Sequence, residues 1–117
     1  MARSPIYDNE TNLTWVETWL TDGKVAKDLR NPDTSNSTII LRIMREDGNN
    51  PHTGTGSITY VNLAIGRFNV KMVPTDFPAP SLPTDPHILY VCQYKCTFAN
   101  GEILDGDFFQ IAMLKSI

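Results

Sequence analysis

The chain has 117 residues, 41% hydrophobic and 20% charged, which is enough for one ordinary globular core and argues against wholesale disorder. A formal net charge of −3 with scattered Lys and Arg argues against a nucleic-acid or anionic-membrane partner. No apolar run approaches the roughly 18 to 20 residues of a membrane-spanning helix, and the first residues, MARSPIYDNETN, lack the apolar core of a secretory signal, so synthesis and use without export are expected.

Residues 1–11 are polar, contain Pro5 and show no period. They read as an N-terminal arm, either loose or ordered against a neighbouring subunit through Ile6 and Tyr7. Residues 12–117 read as the folded domain. The stretch NLTWVETWLT, residues 12–21, supports two readings. As a helix, Thr14 and Glu17 form a capping box. As a strand, Leu13, Trp15, Glu17 and Trp19 share one face. The Thr, Val and Trp content and the short length favour the strand. Asp22-Gly23 then turns the chain, and residues 24–36 are irregular and polar.

STIILRIMRE, residues 37–46, alternates as a strand with Ile39, Leu41 and Ile43 inward and Ile40, Arg42 and Met44 outward. DGNNP, residues 47–51, is a turn. A strand over residues 57–63 carries Ile58, Tyr60 and Asn62. Residues 64–66 turn the chain, and residues 67–73 alternate with Phe68, Val70 and Met72 inward. Residues 74–86 hold five of the eight prolines. Each fixes φ and removes a donor, so this stretch is a semi-rigid connection.

Residues 87–114 form the strongest pattern. Tyr90, Cys92, Tyr94, Cys96 and Phe98 recur at every second position, and Asn100-Gly101 predicts a two-residue type I′ hairpin turn into the last strand. About seven short strands, regularly spaced turns and no long helix predict an all-β fold, a single Ig-like antiparallel β-sandwich with non-local strand pairing.

Candidate chemistry is sparse. Cys92 and Cys96 lie on one strand face with Cα atoms about 13 Å apart, beyond the roughly 7 Å limit for a disulfide, so both are expected as free, buried thiols. Joined with His87 and Asp105 they make an incomplete zinc set, on a strand rather than a knuckle, and no metal or other cofactor is expected. His52 lies in a turn. Gly54-Thr55-Gly56 lacks phosphate-loop spacing and reads as a flexible or bulged strand entrance. Asp105 and Asp107 flank Gly106. They could act as a carboxylate pair, but a bulge that blunts an edge strand is the better reading. Trp15, Trp19 or Tyr60 could stack on a sugar, and tryptophan in a first strand more often packs. Phe77, Pro78, Leu82 and Pro83 are apolar residues of the proline-rich loop and the best candidates for a protein contact surface.

Several stretches, in one order, resemble the Ig-like modules of bacteriophage tails, in particular the N-terminal domain of baseplate upper proteins. They are WLTDGKVAKDL (residues 19–29), TIILRIMREDGNN (residues 38–50), GSITYVNLAIGRFNVKMVPTDF (residues 56–77) and DPHILYVCQYKCTFANGEILDG (residues 85–106). The last carries a Tyr-x-x-x-Tyr-x-x-x-Phe-Ala-Asn-Gly hairpin. Tyr90 stands two residues before Cys92, as in a tyrosine corner, but no partner cysteine lies in residues 37–46 and no core tryptophan follows them. The resemblance implies a non-enzymatic virion component, assembled in the host cytoplasm. Its partners would be other virion proteins and copies of itself. Baseplate upper proteins continue beyond this module into a receptor-binding region, so capsid decoration or a neck, tail or fibre-attachment role is expected alongside the adaptor role. A carbohydrate- or surface-binding module is the alternative, and a small enzyme would rest on Asp105 and Asp107 alone.

Overall fold

The computed structural model describes residues 5–11, 13–21, 24–30 and 38–117. The expected turn at Asp22-Gly23, the start of the arm and most of the irregular stretch after Arg30 lie outside the described residues.

The chain runs β1 (Ile6–Tyr7), β2 (Thr14–Thr18), β3 (Leu20–Thr21), β4 (Val25–Ala26), β5 (Thr38–Arg45), β6 (His52–Thr53), β7 (Ile58–Asn62), β8 (Arg67–Lys71), β9 (Ile88–Thr97), β10 (Ile103–Asp105) and β11 (Phe109–Leu114). Single 3-10 turns at Leu63–Ile65 and Pro74–Asp76 are the helical elements among the described residues. The larger sheet has the order β1-β11-β9-β5-β6, with β10 also on β9; the smaller is β2-β8-β7; β3 and β4 form a separate ribbon. The protein is an all-β sandwich. Its strands are more numerous and shorter than expected, because bulges and turns cut the expected ones into pieces.

The seam of the larger sheet is β5 against β9, antiparallel from Thr38 opposite Thr97 to Arg45 opposite Tyr90. These two strands are far apart in sequence, as the non-local pairing expectation requires. Period-2 alternation sends Ile39, Leu41 and Ile43 of β5, and Tyr90, Cys92, Tyr94 and Cys96 of β9, into the core, where all are buried. Phe68, Val70 and Met72 close over them from the smaller sheet. Fully burying side chains of this size stabilises by about 1.5–3 kcal/mol each.

Two expectations are corrected. The turn after β9 is not a two-residue type I′ turn. Gly101 has φ +89°, but Asn100 keeps a negative φ. Gly101 N–H donates to the Phe98 carbonyl at 2.9 Å, and Phe98 N–H donates to the Glu102 carbonyl at 2.9 Å. The result is a three-residue loop, a type I turn closed by a left-handed glycine. The Asn100 side chain accepts from Glu102 N–H at 3.0 Å, which favours this form.

The second correction concerns the arm. Ile6 and Tyr7 pair in parallel with Met113 and Leu114 of β11. Asp8 then locks the chain ends together: its carboxylate accepts from Lys115 Nζ at 2.8 Å and from the Ser116 N–H and hydroxyl at 2.9 Å each. These donors hold the Asp8 carboxyl well below the usual carboxylate range. The described part of the arm is an edge of its own domain. Asn62 belongs to β7 as expected, and ends it by accepting from Ala64 N–H at the start of the 3-10 turn.

Candidate functional site

The proline-rich loop is built around a clamp. Val73 enters the 3-10 turn with Pro74 at its first position, where a missing N–H costs nothing. The turn points Phe77 inward, and Phe77 is fully buried, edge-to-face with Tyr90 at 5.3 Å between ring centres and 86° between planes. The Tyr90 hydroxyl donates to the Pro78 carbonyl, the tether that its tyrosine-corner position implies. Burial pushes the Tyr90 phenol up. The buried Asp76 carboxylate accepts from Thr55 N–H at 2.7 Å and from the Thr55 hydroxyl at 2.8 Å. His52 sits between two backbone carbonyls, Nδ1 2.7 Å from that of Asn50 and Nε2 2.6 Å from that of Asp76. The Gly54-Thr55-Gly56 stretch is therefore pinned, not loose. Gly56 is required there: a Cβ would fall 1.7 Å from the Lys71 carbonyl oxygen.

This clamp divides the expected contact residues. Phe77 is removed from the surface, because a large apolar ring lying over the open end of a sandwich is better buried than exposed. Ile6 is also buried, under β11, while Tyr7 is exposed. Pro78, Leu82 and Pro83 are exposed, with Leu82 at 57%. Leu82 is held on a closed turn: its N–H donates to the Asp85 carboxylate at 3.0 Å and its carbonyl accepts from Asp85 N–H at 3.1 Å.

The other notable concavity forms where β10 gives way to β11. Asp105 is opposite Lys95 and Phe109 opposite Cys92, so three residues on one strand face two on the other. This is a β-bulge, as the Asp-Gly-Asp pattern suggested. Gly106 anchors it through its N–H to the Tyr94 carbonyl and its carbonyl from Gln93 Nε2, both at 2.9 Å. The extra residue re-aims Asp107 and Phe108, and Phe108 is left 66% exposed. Across from the bulge runs β2. Trp15 is opposite Val70 and Glu17 opposite Phe68, and both of those β8 residues are buried, so Trp15 and Glu17 occupy core-facing positions. Between bulge and strand lies a cavity of about 200 Å³ lined by Glu17, Thr18, Trp19, Leu20, Phe68, Tyr94, Gly106, Asp107, Phe108 and Phe109.

The remaining candidates fall apart spatially. Trp19 is buried in the cavity wall, and half-buried Trp15 donates its indole N–H to the Tyr94 hydroxyl at 3.2 Å, so neither is a flat exposed stacking face. Tyr60 is half-buried on β7. Asp105 pairs with Lys95 at 2.8 Å, outside the cavity that Asp107 lines. Cys92 and Cys96 are buried on one face and not joined in a disulfide, as their spacing implied. Among the described residues no group of three or more His, Cys, Asp or Glu side chains gathers as a metal site. Sequence reading did not single out Glu17 or Phe108. The signal for Glu17 was present, a carboxylate between Trp15 and Trp19 on the inward phase of its strand. Phe108 had none, since only the bulge turns it outward.

No protein-family model matches the chain, and no curated protein matches it. Among solved structures, CopC from Methylosinus trichosporium OB3b is similar, with 9% identity, a TM-score of 0.46, and 100% of this chain and 88% of that chain covered. A likeness at this level carries no argument about what the chain does.

Proposed function

We propose that the chain is a non-enzymatic structural module of a bacteriophage virion that docks on a symmetric assembly, in tail, baseplate, fibre-attachment or capsid-decoration position. The phage setting rests on the resemblance of the strand and turn stretches. The docking role is supported by one observation, the exposed Leu82-Pro83 turn on a loop tied down by Phe77, Tyr90 and Asp85. An apolar side chain on a pre-ordered loop loses little conformational entropy on contact. Repeated copies around a symmetry axis make a weak single contact sufficient. Its partners would be other virion proteins and further copies of itself.

Mass spectrometry of purified virions tests the reading. The protein is expected at a stoichiometry that is a multiple of the assembly's symmetry, and Leu82→Asp is expected to lower its copy number while the isolated protein stays folded. Absence from virions of the phage that encodes it would overturn the proposal. A second reading, a ligand-binding sandwich module, is favoured by the aromatic and acidic cavity at the bulge.

A further inference from the structure

The outer faces of the two sheets differ. On β2 and β8, alternation turns Thr14, Thr18, Arg67, Asn69 and Lys71 outward, with Val16 alone apolar, which is the polar face expected of a two-layer sandwich. On the larger sheet it turns Ile40, Met44, Leu89, Val91 and Leu114 outward, all half-buried, with Met44 directly opposite Val91. An apolar outer face of this kind marks a contact surface. In it lies a concavity of about 180 Å³ whose apolar walls include Met44, Pro51, Val91 and Phe108, and whose charged residues are Arg42 and Lys95. Arg42 uses Nη1 on the Thr53 hydroxyl at 2.6 Å and makes no ion pair among the described residues. Its guanidinium keeps further donors. Lys95 holds the half-exposed Asp105 carboxylate, a solvated pair that a second acid can share.

The turn at residues 82–85 has the matching chemistry. Leu82 is 57% exposed. Asp85 Oδ2 accepts from Leu82 N–H at 3.0 Å, and Asp85 Oδ1 has no hydrogen bond among the described residues. An apolar side chain and a carboxylate are thus presented together on a turn that is already ordered. No residue of 78–86 lines the concavity, so the turn does not fill it within its own chain. We propose that the 82–85 turn of one copy docks into this concavity on the larger sheet of the next, with Leu82 among Met44, Val91 and Phe108 and the Asp85 carboxylate on Arg42. The contact rests on the docking role of the turn proposed above and names the surface that receives it. The volume equals about six waters at about 30 Å³ each, room for the four side-chain carbons of leucine and a carboxylate oxygen. The charges also match: the receiving spot is cationic on a chain of net charge −3, so it attracts a further copy. Turn and concavity are different surfaces and every copy has one of each. The contact is therefore head-to-tail, the kind that builds rings or helical arrays.

Sedimentation velocity of the intact chain from about 10 μM to about 1 mM tests this. The mass is expected to rise above the monomer with concentration and to fall back as salt is added. Arg42→Glu and Leu82→Asp, each checked for folding by circular dichroism, are each expected to weaken self-association by about tenfold or more. Phe108→Ala, a change at an exposed rim position, takes the place of Arg42→Glu should that variant not fold. The decisive arm is an equimolar mixture of the face variant with Leu82→Asp. One copy keeps its turn and the other its concavity, so the mixture is expected to form 1:1 dimers and nothing larger. A chain that is monomeric throughout, association that neither variant weakens, or a mixture that stays monomeric would each overturn the proposal. Chains that associate in this way but are absent from virions keep the contact and overturn the virion reading. Monomeric chains present in virions do the reverse.

Discussion

Two aromatic pairs on β9 have nearly the same geometry and opposite surroundings. Tyr90 meets Phe77 at 5.3 Å and 86°, and Tyr94 meets Phe68 at 5.1 Å and 85°. At Tyr90 the proline-rich loop folds over the pair. Its backbone carbonyls meet the Tyr90 hydroxyl and the His52 ring, its Asp76 carboxylate accepts from Thr55, and the end is sealed. At Tyr94 a bulge swings the chain away and leaves a cavity. The same edge-to-face contact is therefore a structural plug in one place and a candidate binding wall in the other. What decides is the next segment of backbone. A loop rich in proline is rigid enough to act as a lid, whereas a glycine-anchored bulge opens the sheet.

The largest way to break this contrast is Phe77→Ala. Losing a fully buried ring is expected to cost about 3–5 kcal/mol, read as a lower denaturant midpoint. A cost under 1 kcal/mol would mean that the loop does not seal that end. Tyr90→Phe sharpens the contrast by removing only the tether to the Pro78 carbonyl. About 1 kcal/mol of stability should be lost, with an unchanged slope of unfolding against denaturant.

The chain-end lock gives a pH-dependent effect. The folded Asp8 carboxyl is held below its ordinary value by Lys115 and Ser116. A depressed carboxyl contributes stability above its unfolded value of about 3.9, and that contribution is lost as pH falls through the folded value. Asp8→Asn should therefore be less stable than the parent at neutral pH. The gap should narrow as pH drops below about 4, as followed by thermal melts across the acid range. A gap constant with pH would show that the ionised carboxylate adds nothing. The smallest effect on stability is expected at the open end. Phe108→Ala removes an exposed ring and should shift stability by less than about 0.5 kcal/mol, read as an unchanged denaturant midpoint.

Much of the sandwich was legible in local pattern. The inward and outward phases of β5, β8 and β9 follow directly from alternation, and the prolines correctly exclude a strand between β8 and β9. Leu29 shows the limit. It lies in a stretch that reads as irregular and polar, yet it is fully buried, held by its N–H to the Leu63 carbonyl at 2.8 Å. A single apolar residue without a period gives no local sign of burial. The arm failed for a related reason. Two residues are too few for alternation to register, and only their pairing with β11 makes them a strand.

The sequence by itself determined the fold class, the inner faces of the long strands and the burial of Cys92 and Cys96 on one of them. Each depends on alternation over a few neighbouring residues, and extended backbone allows little else. Tertiary structure decided that Phe77 is a plug and not a contact residue, that Leu82 stays outside, and that Glu17, Asp107 and Phe108 meet around one cavity. Those outcomes depend on which distant backbone segments come together, and no local pattern carries that information.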